Sequence, residues 1–237
     1  MPAAVTPTID TFIHDLENEL RENKISILDA EFLTALEEKS ITRAQICEWA
    51  KTFYAATRHG RLTIANFYAN APDDPELRRE LAENIYEEEC GGISGVGMCH
   101  MDVFQFLLDG LGVSKEEAER FPNPHGADVS HSHVIPQEEY YAALSAYGFS
   151  VEIPNAEFCE RAAKALRDNY GFSSKEVRWF TMHAELDAGH GEEFRKHALK
   201  VAATPGGLEV LREKTLALSR ATMNVWNGYD CWKRSSS

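Results

Sequence analysis

Three side chains towards the carboxyl end of the chain, His183, Asp187 and His190, stand at i, i+4 and i+7. On a helix these positions share one face. Imidazole and carboxylate together suit zinc, iron or manganese. The same spacing also describes a plain polar stripe, since Glu185, Glu192 and Glu193 lie close by. One helix supplies only part of a metal shell, so further donors are needed. The candidates are Glu87, Glu88 and Glu89 just before a run of glycines, His100 just after it, and Glu152 at the start of a later helix. Three consecutive carboxylates at a helix end oppose its dipole, and a positioned cation offsets that cost. The ferritin-like pattern of two Glu-x-x-His pairs does not fit, because only Asp187-x-x-His190 has that form.

The elements that must carry these residues read as helices joined by short breaks. Apolar residues recur at helical spacing over 8–22 (Ile9, Phe12, Ile13, Leu16, Leu20) and over 27–38. A third helix opens after Ser40-Ile41-Thr42 and is predicted to run to about Asn70. Pro75, in the first turn of the next, leads into Glu87-Glu88-Glu89. Gly91, Gly92, Gly95 and Gly97 then predict a break or a kink, each costing a helix about 1 kcal/mol relative to alanine. Periodicity resumes at Met101, and helices follow at roughly 136–148, 153–170, 174–200 and 207–232, with a disordered tail from Lys233 to Ser237. No alternation long enough for a sheet and no internal repeat occurs. The expectation is a single all-α domain over residues 1–237.

In this order the motifs resemble the heme-oxygenase-like di-iron oxidases and oxygenases, relatives of the TenA and PqqC proteins. That family's pattern is a Glu, a His several residues on, a second Glu, and then His-x3-Asp-x2-His. The matching residues are Glu88 in Tyr86-Glu87-Glu88-Glu89-Cys90-Gly91, His100, Glu152 in Ser150-Val151-Glu152-Ile153-Pro154, and His183, Asp187 and His190, over roughly residues 15–200. Glu87 and Glu89 remain rivals to Glu88. The resemblance implies a heme-oxygenase-like bundle of about seven to eight helices, two Fe(2+) ions per chain held by these six residues, and O₂-dependent oxidation of a small amine or amino-acid-like substrate. It also implies a homodimer. One branch of the family makes para-aminobenzoate from its own side chains. Its tyrosine falls near Leu33 here and its lysine near Ala162, with Lys164 out of register, so that reaction is not carried over.

Composition narrows the partners. With 38 acidic against 24 basic residues, the net charge of −14 repels nucleic acid and anionic membranes. No apolar stretch spans a bilayer and no signal peptide is evident, which gives a cytoplasmic expectation. Five scattered cysteines without a CxxC pair argue against disulfides or a thiolate zinc site. Arg58, His59 and Arg61 can hold a substrate carboxylate, and Tyr54 can line its pocket. A solvated basic face and core packing are the plainer readings of these residues. His125, His131 and His133 form a His-rich loop. Two other functions fit the same scaffold: a metal-independent enzyme of the TenA or PqqC kind, with Cys159 a candidate nucleophile, and a non-catalytic interaction protein.

Overall fold

The computed structural model describes residues 8–123, 134–187 and 191–234, and every regular element among them is helical. The α-helices are α1 (Ile9–Glu22), α2 (Glu31–Glu37), α3 (Arg43–Thr57), α4 (Arg61–Asn70), α5 (Pro75–Cys90), α6 (His100–Gly110), α7 (Lys115–Arg120), α8 (Tyr140–Tyr147), α9 (Ile153–Tyr170), α10 (Arg178–Leu186), α11 (Gly191–Ala202) and α12 (Gly207–Trp226). Local chemistry fixes many of the ends. Thr42 and Gln45 form a reciprocal capping box on α3. Asp74 accepts from the amides of Glu76 and Leu77, with Pro75 at the first position of α5. Gly91 and Gly171 close α5 and α9 in the left-handed conformation that glycine adopts without penalty.

The chain reads as all-α, as expected, but the helix count corrects the sequence estimate of seven to eight: ten α-helices of eight residues or more occur among the described residues, with α2 and α7 shorter. The predicted helix ending near Asn70 is two elements, α3 and α4, parted by a tight turn at Arg58–Gly60 in which the Gly60 amide bonds the Thr57 carbonyl at 2.7 Å. The predicted helix over 174–200 is α10 and α11, parted after Asp187. Conversely, the expected gap between α8 and α9 is bridged by a π-helical turn, Gly148–Glu152. Pro154 has no N–H for the carbonyl four residues back, and the turn before it widens to i→i+5 bonding, with the Ile153 amide on the Gly148 carbonyl.

The main core is aromatic. The Phe32 and Trp49 rings stack at 4.1 Å, Trp49 continues onto Phe53 at 4.9 Å, and Phe53 meets Trp179 and Trp226 edge-on at 5.6 Å each. The Trp49 indole donates to the Trp226 carbonyl at 2.8 Å, satisfying the one polar group such a ring buries. In the last helix, Leu216 and Trp226 are buried while Met223 and Val225 pack on the core, so these residues are spent within the chain. Lys233 and Arg234 lie in a helical segment, Gly228–Arg234, with Lys233 on Glu31 at 2.7 Å. No described helix is long and apolar enough to cross a membrane. The site is built where the end of α5, the start of α6, the π turn and α10 converge.

Candidate metal centre

Glu88 lies in the last turn of α5 and His100 is the first residue of α6; the glycine loop between them folds the two ends together. His183 comes from α10, packed against α6 and α9. Glu88 Oε1 is 3.0 Å from His100 Nδ1 and 3.9 Å from His183 Nε2. One donor atom from each of the three residues lies within 4.8 Å of the others, close enough to share one ion. The imidazoles meet edge-on, 4.9 Å between centroids.

Each ring is oriented by the nitrogen that does not face the centre. His183 Nδ1 donates to the Trp179 carbonyl at 2.9 Å, which leaves Nε2 pointing inward. His100 Nε2 donates to Glu87 Oε1 at 2.9 Å, which leaves Nδ1 inward. Despite the 3.0 Å approach of Glu88, His100 Nδ1 is buried without a hydrogen-bond partner. In the tautomer with the proton on Nε2, the Nδ1 lone pair faces a carboxylate oxygen at that distance, and the contact is repulsive. A cation between them turns the repulsion into two bonds, so this orphaned atom fits a metal site.

The second half of the expected ligand set faces the same cavity, of about 110 Å³. Glu152 ends the π turn and Asp187 caps α10, and both line it with Glu88 and His183. Asp187 is buried, with Oδ2 accepting from Asn155 Nδ2 at 2.8 Å. The Tyr147 hydroxyl bonds Glu152. Burial, added to the charges of Glu152, Glu88 and Asp187, pushes it well above its ordinary range. Phe53, Trp179, Trp226, Val151 and Met101 make the apolar walls.

The electrostatics are those of an anionic site. Burial alone disfavours the charged form of Glu88, but when the facing His100 and His183 carry protons towards it their hydrogen bonds and charge outweigh burial and hold the carboxyl well below the usual range. Burial likewise disfavours an imidazolium at His183, yet Glu88 and Asp187 raise it to about 9. A proton and a metal ion compete for that nitrogen, so binding releases the proton. Carboxylates and imidazoles in this mixture suit iron.

Of the six expected ligands, Glu88, His100 and His183 come together, Glu152 and Asp187 line a cavity with Glu88 and His183, and His190 lies outside the described residues. So do His125, His131 and His133. Among the rival glutamates, Glu87 is taken up by His100 and by two loop amides, and Glu89 pairs with Arg61 at 2.5 Å. The candidate substrate residues are placed elsewhere. Tyr54 is buried beside Phe104, Arg58 donates to the Glu119 carbonyl at 2.6 Å, and His59 is exposed on the turn after α3. Among the lining residues it is Arg61 that brings a positive charge. Sequence reasoning missed Asn155 and Tyr147. Asn155 carried a signal, since it is one helical turn beyond Glu152; Tyr147 carried none.

Comparison with known proteins identifies the family and the fold. Residues 47–225 match the model of a family described as iron-containing redox enzymes. A 4-aminobenzoate synthase of Chlamydia pneumoniae is 24% identical over 187 residues, 77% of this chain and 79% of that protein. A TenA homologue of Pseudomonas syringae superposes with a TM-score of 0.72 at 14% identity, over 97% of this chain and 98% of its own. A domain of unknown function with a heme oxygenase-like fold from Shewanella denitrificans gives 0.67 at 17% identity, over 97% and 94%. The fold is therefore heme-oxygenase-like, and the chain belongs to the iron-containing redox enzyme family.

Proposed function

We propose that this chain is a non-heme di-iron, O₂-dependent oxidase or oxygenase acting on a small amine or amino-acid-like substrate. The observation that carries the reading is the inward, unpartnered His100 Nδ1 against Glu88, with His183 Nε2 completing the group and Glu152 and Asp187 across one cavity. Iron bound there would supply O₂ activation; the protein supplies ligands, orientation and dryness. Asn155 holds the Asp187 carboxylate through Oδ2. The Tyr147 hydroxyl holds the Glu152 carboxylate. The Phe53, Trp179 and Trp226 rings exclude water, and Arg61, on leaving its pair with Glu89, would offer a charge to a substrate carboxylate. The Chlamydia relative's name gives it a 4-aminobenzoate product. Here Leu33 and Ala162, where that branch's tyrosine and lysine fall, are fully buried apolar residues, which supports a separate substrate.

Anaerobic loading with ferrous ion tests the reading: about two irons per chain are expected, with O₂ consumed when a suitable amine or amino acid is added. His183→Ala and Asp187→Ala should each lower iron uptake, and a variant that loads like the parent removes that residue from the centre. The likeness to the TenA homologue supports a second reading, a metal-independent enzyme on the same scaffold. Against it, burial pushes the Cys159 thiol well above its ordinary range, away from a reactive thiolate. Turnover that persists in chelator would select this second reading.

A further inference from the structure

Glu87 precedes the candidate ligand Glu88 and points the other way. It is 7% exposed, and both its oxygens are used. Oε1 accepts from His100 Nε2 at 2.9 Å; Oε2 accepts from the amides of Ile93 at 2.6 Å and Ser94 at 3.1 Å. Three donors compensate the burial of a carboxylate without making it a metal ligand. Its position beside the first turn of α6 also places negative charge at the favourable end of that helix.

The two histidines at the centre use opposite ring nitrogens. His183 gives Nδ1–H to a backbone carbonyl and presents Nε2; His100 gives Nε2–H to Glu87 and presents Nδ1. Without Glu87, nothing described holds the His100 proton on Nε2. The same carboxylate gathers the loop that separates it from His100. Gly91 reverses the chain at φ +58°, the Gly97 amide bonds the Gly91 carbonyl at 2.9 Å, and a Cβ at Gly91 would come within 2.2 Å of Val96 Cγ1.

We infer that Glu87 is a positioning residue of the metal centre, which fixes His100 in the tautomer that coordinates through Nδ1 and ties the order of the Gly91–Cys99 loop to that orientation. This rests on the reading of the cavity as a metal centre. A metal at His100 Nδ1 strengthens the Nε2–H bond to Glu87, and Glu87 in turn fastens the loop amides, so occupancy and loop closure support each other.

The test uses full-length protein with ¹⁵N-labelled histidine, loaded with Zn(II) as a diamagnetic probe. Long-range ¹H–¹⁵N correlations distinguish the two modes, with His100→Gln identifying the signals of His100. The parent should show His100 bound through Nδ1 and His183 through Nε2. Glu87→Ala should abolish the Nδ1 pattern of His100, weaken Zn(II) roughly 10–100-fold, and speed amide exchange at Ile93 and Ser94. Glu87→Gln retains an acceptor for His100 and should restore the Nδ1 pattern while the loop amides still exchange fast. If Glu87→Ala does not fold, Glu87→Gln alone decides: unchanged exchange at Ile93 and Ser94 overturns the proposal. His100 bound through Nε2 in the parent, or Glu87→Ala matching the parent in affinity and pattern, overturns the role of Glu87 and leaves the centre standing. A parent that binds neither Zn(II) nor Fe(II) overturns the centre and this role together.

Discussion

Asp187 depends on a neighbour that has no chemistry of its own. Asn155 Nδ2 gives it a hydrogen bond at 2.8 Å, while Asn155 Oδ1 accepts from the Trp226 indole at 3.3 Å, so the amide is fixed from both sides. Asn155→Ala should therefore weaken metal binding roughly 10-fold or more through a freed Asp187, read by competitive titration against a chelator, with the helix content unchanged. The protons matter as much. His183 is raised to about 9 by its carboxylate neighbours against the effect of burial. The imidazolium must lose that proton to bind an ion, so metal affinity should climb as pH rises towards 9. The metal-free protein should move oppositely: the raised folded value stabilises it fully below the unfolded value of about 6.5, and that stability is lost as pH rises through 9. Thermal melts of metal-free parent and His183→Gln at pH 6 and 9.5 check this; equal pH dependence in the two would remove His183 as the cause. At this scale the ligand candidates were legible because His, Asp and Glu announce themselves by type and spacing. Which of Glu87, Glu88 and Glu89 faces the centre was not, since consecutive helical positions differ by about 100° and only the packing of α5 selects one. Asn155 and Tyr147 were hidden because their roles lie in what they hold.

The π turn is the element on which the second half of the site depends. Glu152 is its last residue, and Gly148, its first, lies against the face of Phe194 from α11: a Cβ there would fall 2.1 Å from the ring. Phe194 is buried and its ring cannot yield as a flexible chain would. Gly148→Ala should destabilise the fold by about 1–3 kcal/mol through overpacking and should also shift Glu152, four residues on. Urea unfolding gives the first effect and the iron stoichiometry the second. A variant with parental stability would mean that α8 and α11 part more readily than their packing suggests. Apolar periodicity could reveal helices on either side of residues 149–152, and it did. It could not reveal that they are joined, because a π turn leaves no repeat to count and Pro154 is more often read as a boundary. For the same reason the turn at Arg58–Gly60 was invisible: α3 and α4 have apolar residues that continue in phase across it, and Gly60 is a single glycine.

Among the described residues three apolar clusters hold the helices, and the site sits on the largest, where the rings that wall the cavity are also core. The all-α class was legible from periodicity throughout. How the helices pair was not, because it rests on contacts between residues more than a hundred apart, such as Trp49 with Trp226. The third cluster holds a group that should make the fold sensitive to acid. His197 of α11 is 6% exposed among Tyr141 and Phe194, with its Nδ1 unpartnered and Glu80 of α5 at 3.4 Å from Nε2. Burial, helped by the charges of Lys200 and Lys196, depresses it to about 4. A histidine held neutral in the folded chain charges more easily when unfolded. Its contribution is therefore present above the unfolded value of about 6.5 and is lost as pH falls towards 4, to a limit of roughly 3 kcal/mol. The parent should lose unfolding free energy over that window. His197→Leu keeps an apolar side chain of similar size and cannot titrate, so it should lose less over the same window even if it starts from a lower stability. Urea titrations of both proteins at pH 7 and pH 4.5 compare the two losses. Equal losses would assign the acid sensitivity to the carboxylates, whose ion pairs, such as Asp74 with Lys200 at 2.7 Å, lie on the surface of the same cluster.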